Sequence, residues 1–249
     1  MLCAAFFAGF VDAIVGGGGL IQLPALFAGY PTAVPPVLLG TNKLGSICGT
    51  ISAVLRYMRV VRIPARVLLP AAAVAFLAAL GGASLVSAVS PSLFRPLVPA
   101  MLTLVLIYVL RHKDLGARHA PIVFSRRRVG LALTAIGGIG LYDGFFGPGT
   151  GSFLMLLFIR FYGFDFLHAS MGARTINVAT NAGALLFFGI HGEVNWGLGI
   201  ALGGCNAAGS VLGAHTAVKH GSKFVRVAFI AIVIALIAKT GADAWGLRR

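Results

Sequence analysis

Carboxylates are scarce in this chain. Of 249 residues only six are acidic, Asp12, Asp114, Asp143, Asp165, Glu193 and Asp243, and they are dispersed. Metal-dependent phosphate chemistry needs clustered carboxylates and is excluded. Charge of either sign is low, at 10% of residues, against roughly a quarter in an average soluble domain. With 58% of residues hydrophobic, no soluble fold has interior enough, so the composition implies an integral membrane protein. Cysteine is also sparse. Cys3, Cys48 and Cys205 lie scattered in apolar stretches, with no metal spacing and no disulfide framework, and read as small packing residues. Strict polar–apolar alternation is missing, which excludes a β-barrel.

The usual catalytic signatures are missing too. No Gly-x-Ser-x-Gly elbow with a partnered base occurs. Gly147-Pro148-Gly149-Thr150-Gly151-Ser152 resembles a phosphate loop but lacks the following lysine, and Gly16 and Gly18 lack the third glycine of a dinucleotide fingerprint. His112, His119, His168, His191, His215 and His220 show no ligand spacing; Asp165 and His168, three apart, are one weak pair. The expectation is a chain with no catalytic residues, no metal and no cofactor, and not an enzyme.

Positive charge, by contrast, is abundant, with a net charge of +14. The cations gather at the ends of apolar runs rather than on a polar face, which argues against nucleic acid as a partner. Arg56, Arg59, Arg62 and Arg66 form one cluster; Arg111, Lys113, Arg118, Arg126, Arg127 and Arg128 form another. Such clusters mark cytoplasmic loops of membrane proteins. No basic region or small-residue cleavage site precedes the first apolar run, so Leu2 onward reads as mature membrane sequence.

Apolar runs bounded by charge, proline or glycine suggest eight segments, at about 2–30, 37–58, 65–88, 93–110, 129–161, 168–190, 196–218 and 223–239. A block at Gly9-Phe10-Val11-Asp12 leading to 16–19 returns at Gly140-Leu141-Tyr142-Asp143 leading to 147–151. The 131-position offset also aligns Lys43 with Arg174 and Arg95 with Arg226. The fold class expected is therefore an all-α integral membrane protein of two homologous halves, each of about four transmembrane segments with the first broken by glycines. The division is 1–110, a basic cytoplasmic linker at 111–128, and 129–249.

Orientation is less consistent. With parallel halves the N-terminus is cytoplasmic, the loop of Lys219, Lys223 and Arg226 lies outside, and the weakly charged 191–193 loop lies inside. A re-entrant segment at the second break would invert the halves instead. Small-residue stretches at 81–84 and 203–209 read as faces for close helix packing, and oligomerisation stays open.

The glycine breaks have two readings, a kink for helix packing or the seat of the chemistry, and their recurrence in both halves favours the second. Glycine and proline at 16–19 and 147–151 cannot propagate a helix. Each following half-helix presents free N–H groups and a positive dipole end, an anion site made from backbone alone: Gly17, Gly18 and Gly19 in one half, Gly149, Thr150 and Gly151 in the other. Lys43, after Asn42, and Arg174 are intramembrane cations, which need a partner or a water-filled cavity. Ser46 and Thr50, and Asn177 and Asn181, share a helical face with their cation. Asp12 and Asp143 have open alternatives: pairing with the cations, capping broken backbone, or carrying protons.

Taken together, these residues resemble the TauE/SafE family of membrane permeases, the sulfite exporter family. The likeness rests on the approach from Ala8 to Asp12 before 16–19, on Gly40-Thr41-Asn42-Lys43-Leu44, and on Leu55-Arg56-Tyr57. It continues through 140–151, Arg174 with Asn177, and His191-Gly192-Glu193-Val194-Asn195-Trp196, covering essentially the whole chain. It implies a multi-pass protein of the cell inner membrane, a permease moving small anions such as sulfite, sulfonates or sulfoacetate. The function expected is their export by alternating access, the alternative being a membrane-embedded channel or a non-transport membrane protein, an enzyme or assembly factor. The expected partners are a small anionic substrate and the lipid bilayer. The second-half cation is Arg where the resemblance leads one to expect Lys, and Pro148 stiffens the second break. Both departures bear on substrate identity, since arginine favours planar multi-oxygen groups.

Overall fold

A computed structural model of the chain describes residues 1–86, 103–104, 106–107, 109–111 and 126–244. Most of the fourth apolar run and of the basic linker, with Arg95, His112, Lys113, Asp114, Arg118 and His119, falls outside these residues. Among the described residues all regular structure is helical. The helices are α1 (Leu2–Val15), α2 (Gly19–Gly29), α3 (Pro35–Tyr57), α4 (Ala65–Ser84), α5 (Arg126–Phe145), α6 (Thr150–Tyr162), α7 (Phe166–Ile190) and α8 (Trp196–Ala244).

Local sequence sets their ends. Pro35 opens α3 in the first turn, where its missing N–H costs nothing. The Asp165 carboxylate caps α7 by accepting the His168 N–H at 2.8 Å. Gly221, with φ of 73°, breaks α8 in two. Helix α5 begins at Arg126, three residues before the boundary read from the sequence.

Side-chain neighbours give the helix directions. Helix α2 folds back along α1: Gly18 lies against Ala8 and Asp12, Leu26 packs with Ala5, and Gly29 meets Met1. The pair is a hairpin open at the Met1 end. Helices α3 and α8 run the same way, with Leu44 beside Gly199, Cys48 beside Gly203, and Arg56 bonded to His215. Helices α4 and α5 also run parallel, Val74 facing Gly137 and Ala79 facing Gly144. The Tyr142 ring packs on Phe153 at 5.9 Å as α6 returns along α5. This second hairpin opens at the Arg56 end, where Ser222 accepts the Leu167 N–H at 3.2 Å.

These directions reverse the placements expected from parallel halves. Lys219, Lys223 and Arg226 flank the Gly221 break at the same end as Arg56. The 191–193 loop lies at the opposite end, since the Asn195 N–H bonds the Thr41 hydroxyl at 2.9 Å and the Glu193 carbonyl meets Gly40. Met1 is at that end as well, away from the basic cluster. The cause is the hairpin: α1 and α2 enter and leave on one side, so they do not count as a crossing.

Polarity is distributed inside out. Phe7, Ile51, Leu69, Leu77, Leu131, Ile200 and Val227 are exposed, whereas Lys43, Asp143, Arg174, Asn177 and Asn181 are buried. An apolar exterior around a polar interior suits lipid surroundings. Among the described residues one helix, Ala65–Ser84, is long and apolar enough to cross a membrane; α1, α2 and α6 are apolar but shorter. Helices α3 and α7 have 23 and 25 residues, about 34 and 38 Å at a helix's rise per residue. Their mean hydropathy is lowered by Thr41, Asn42, Lys43 and Thr50 on one and by Arg174, Asn177, Thr180 and Asn181 on the other, all of them buried.

Candidate functional site

The two hairpins meet tip to tip. Helix α1 stops at Val15 because Gly16 adopts φ of 81°, and α5 stops at Phe145 before Gly147 at 94°, conformations that an L side chain strains to reach. The tips touch through backbone: a Cβ on Gly16 would sit 2.2 Å from the Gly151 carbonyl carbon, and one on Gly151 2.4 Å from the Gly16 Cα. Only glycine on both sides allows this crossing.

Beside the crossing is a hollow of about 30 Å³; one water needs about 10–15 Å³ on that measure. Its walls include Asp12, Gly18, Gly19, Asn42, Lys43 and Ser46 from the first hairpin and α3. Asp143, Gly149, Thr150, Gly151, Asn177 and Asn181 come from the second hairpin and α7. The structure thus gathers twelve of the residues singled out from the sequence around one space. Gly17 and Arg174 are not in the wall. Thr50 is turned back onto its own helix, its hydroxyl donating to the Ser46 and Ile47 carbonyls.

Lys43 is the cation of this hollow. Its ammonium lies 3.1 Å from Asp143 Oδ2 and also donates to the Asp143 carbonyl. Both side chains are 3% exposed. The carboxylate has further donors: the Thr150 hydroxyl at 2.8 Å and the Asn177 amide at 3.5 Å, while the Asn181 amide donates to Asn177 Oδ1 at 3.2 Å. The α7 amides therefore form a ladder ending on Asp143. Such pairing and hydrogen bonding is what a buried ion pair requires.

Arg174 lies behind the first break, 1% exposed. Its guanidinium donates to the Ser170 carbonyl at 3.1 Å and to the Asp12 carbonyl. The last turn of α1 is closed by side chains throughout. Tyr57 donates to the Ala13 carbonyl at 2.7 Å, Ser170 to Ile14 at 3.4 Å, and Ser152 to Val15 at 2.8 Å. The carbonyls that a helix end leaves without partners are all satisfied. The Asp12 carboxylate, for its part, accepts the Gly18 N–H at 3.1 Å.

Donors remain. The first turns of α2 and α6 bond Leu20, Ile21, Gln22, Thr150, Ser152 and Phe153 N–H groups to preceding carbonyls. That leaves the Gly19 and Gly151 N–H groups without a protein acceptor among the described residues. Asn42 Oδ1, Gln22 Nε2 and Arg174 Nε are buried without partners there too. A buried orphan costs about 1–3 kcal/mol; of these groups Gly19, Gly151 and Asn42 line the hollow, whereas Gln22 and Arg174 do not.

Two kinds of residue escape sequence reasoning. Asn206 lines the hollow and donates to Gln22 Oε1 at 2.7 Å. It sits in a stretch read as packing, and Gly203 and Gly209 there do pack, on Cys48 and on the Phe6 carbonyl; its carboxamide amid small residues was the available signal. The hydroxyl caps Tyr57, Ser152 and Ser170 gave none, because their targets are backbone atoms far away in sequence.

A family model described as sulfite exporter TauE/SafE matches residues 1–240. The chain belongs to the TauE/SafE family. A probable membrane transporter protein of Sinorhizobium sp, ORF9, is 36% identical, covering 98% of this chain and 92% of its own length. The probable membrane transporter protein YfcA of Escherichia coli K12 is 35% identical, covering 97% and 88%. A probable membrane transporter protein of Haemophilus influenzae is 31% identical, covering 96% and 92%. No solved structure matches the chain.

Proposed function

We propose that the chain is a membrane transporter, a secondary carrier of small sulfur oxyanions such as sulfite, sulfonates or sulfoacetate that exports them by alternating access. The observation that carries this reading is the hollow at the crossing of the two breaks. Free amides at the starts of α2 and α6 and the Lys43 ammonium border it beside the Asp12 and Asp143 carboxylates, and the amides and the ammonium are the groups that attract an oxyanion. Its size supports sulfite, the smallest of the series, in the state described. Family membership supports a transporter rather than an enzyme.

The fold reading that goes with it is two homologous halves, 1–110 and 129–249, joined by a cytoplasmic linker at 111–128. Hairpins opening at opposite ends support inverted halves, a plan in which rocking one repeat exposes a fixed midplane site to either side. Clustering of Arg56, Arg66, Arg126, Lys219 and Lys223 at one end supports a multi-pass inner-membrane protein with that end cytoplasmic. Asp12 and Asp143 are the groups through which a proton could be coupled, since an anion taking Lys43 leaves the Asp143 carboxylate uncompensated.

Purified protein in liposomes loaded with sulfite or sulfoacetate tests the reading. Uptake of labelled substrate driven by unlabelled substrate on the far side is expected of a carrier. Flux without such countertransport would mean a channel, and chemical conversion without flux an enzyme.

A further inference from the structure

We propose that the two matched cations have divided roles: Lys43 alone meets the anion, while Arg174 is a positioning residue that holds the tip of α1. This rests on the anion-site reading above, and assigns residues within it.

Each cation reaches across to the opposite hairpin, and to the same atom there. Lys43 donates to the carbonyl of Asp143 and Arg174 to the carbonyl of Asp12, partners that share the 131-position offset of the cations themselves. Beyond that carbonyl the two differ. Lys43 lies in the wall of the hollow and its second partner is a side-chain carboxylate, which an incoming anion can replace. Arg174 is absent from the wall, and its second partner is the Ser170 carbonyl, a backbone atom that no anion displaces.

Arg174 also belongs to a set. Tyr57, Ser152 and Ser170 satisfy the next three carbonyls of α1, so four side chains together close one helix end. A cation there is favoured by the negative end of the helix dipole. The fork of arginine suits a bridge between two carbonyls, whereas the ammonium of lysine is a point charge that can change partner. The chemistry at the two positions follows this difference.

Initial rates of sulfite countertransport in proteoliposomes test the division, read as KM against maximal rate. Lys43→Gln is expected to raise KM about tenfold or more, the loss of one charge-assisted contact. Arg174→Lys keeps a donor for the Asp12 carbonyl and is expected to hold KM within about twofold while lowering maximal rate. Tyr57→Phe and Ser152→Ala, which remove caps of the same helix end outside the hollow, should show the Arg174 pattern. If Arg174→Lys raises KM as much as Lys43→Gln, or the cap variants alter KM, the division is overturned. Absence of countertransport in the unaltered protein would instead sink the transporter reading itself.

Discussion

The two glycine breaks occupy matched positions and end up in different physical states. The first is closed by backbone-directed contacts: Arg174, Tyr57, Ser170 and Ser152 each hold a carbonyl of α1, and Gly16 presses against Gly151. The second is held by side chains that face the hollow. Lys43, Thr150 and Asn177 converge on the Asp143 carboxylate, and the Tyr142 hydroxyl donates to the Pro148 carbonyl at 2.6 Å. One break is fastened mainly through backbone carbonyls, the other through a buried ion pair. Matched sequence positions therefore need not mean matched contacts: Lys43 holds a carboxylate and a carbonyl, Arg174 two carbonyls.

Glycine substitutions should separate the breaks most strongly. Gly16→Ala meets both an unfavourable φ of 81° and backbone at 2.2 Å; strain and overlap together predict a loss of about 2–6 kcal/mol. At Gly147 the nearest atoms are the Asp143 carboxylate and the Lys43 ammonium, at 2.8 and 2.9 Å. These are side-chain ends, and the nearest backbone atom, the Asp143 carbonyl, is at 3.2 Å rather than 2.2 Å, so Gly147→Ala should cost less than Gly16→Ala, chiefly the backbone strain of about 1–3 kcal/mol. Thermal unfolding in detergent reads both, and equal losses would erase the distinction.

The ion pair gives the next effect. Lys43→Met strands the buried Asp143 carboxylate and should destabilise by about 3–5 kcal/mol. Adding Asp143→Asn should restore most of that stability without restoring transport. A double variant no more stable than the single would mean that the pair does not hold the second break. The smallest effect is expected at the first break, where Tyr57→Phe removes one hydrogen bond to the Ala13 carbonyl. It should lower the unfolding free energy by about 1 kcal/mol, and no measurable change would show the α1 end to be held without it.

Much of this site could be read from sequence because the signals were local. Asp12 and Asp143 before glycine runs, and Lys43 and Arg174 in apolar surroundings, are conspicuous wherever lipid makes polar groups costly. The 131-position offset pairs Asp12 with Asp143, and both line the hollow, whereas of Lys43 and Arg174 only Lys43 does. What could not be read was direction and partnership. Whether α2 continues or reverses α1 depends on three dihedral pairs at 16–18, and the wrong choice flips every later loop, as it did for the 191–193 and 219–226 segments. The match of Lys43 with Asp143, one from each hairpin, likewise depends on how the tips cross. Arg174 is conspicuous as a buried cation, but its carbonyl partners carry no sequence signature.

On the proposed reading an oxyanion sits between Gly19, Gly151 and the Lys43 ammonium. Selenite, a sulfite analogue with an anomalously scattering atom, tests it most directly in crystals of the protein. One anomalous peak is expected in the hollow, within hydrogen-bond reach of Lys43 and lost in Lys43→Gln. A peak elsewhere, or a hollow that stays empty while selenite is transported, would contradict it.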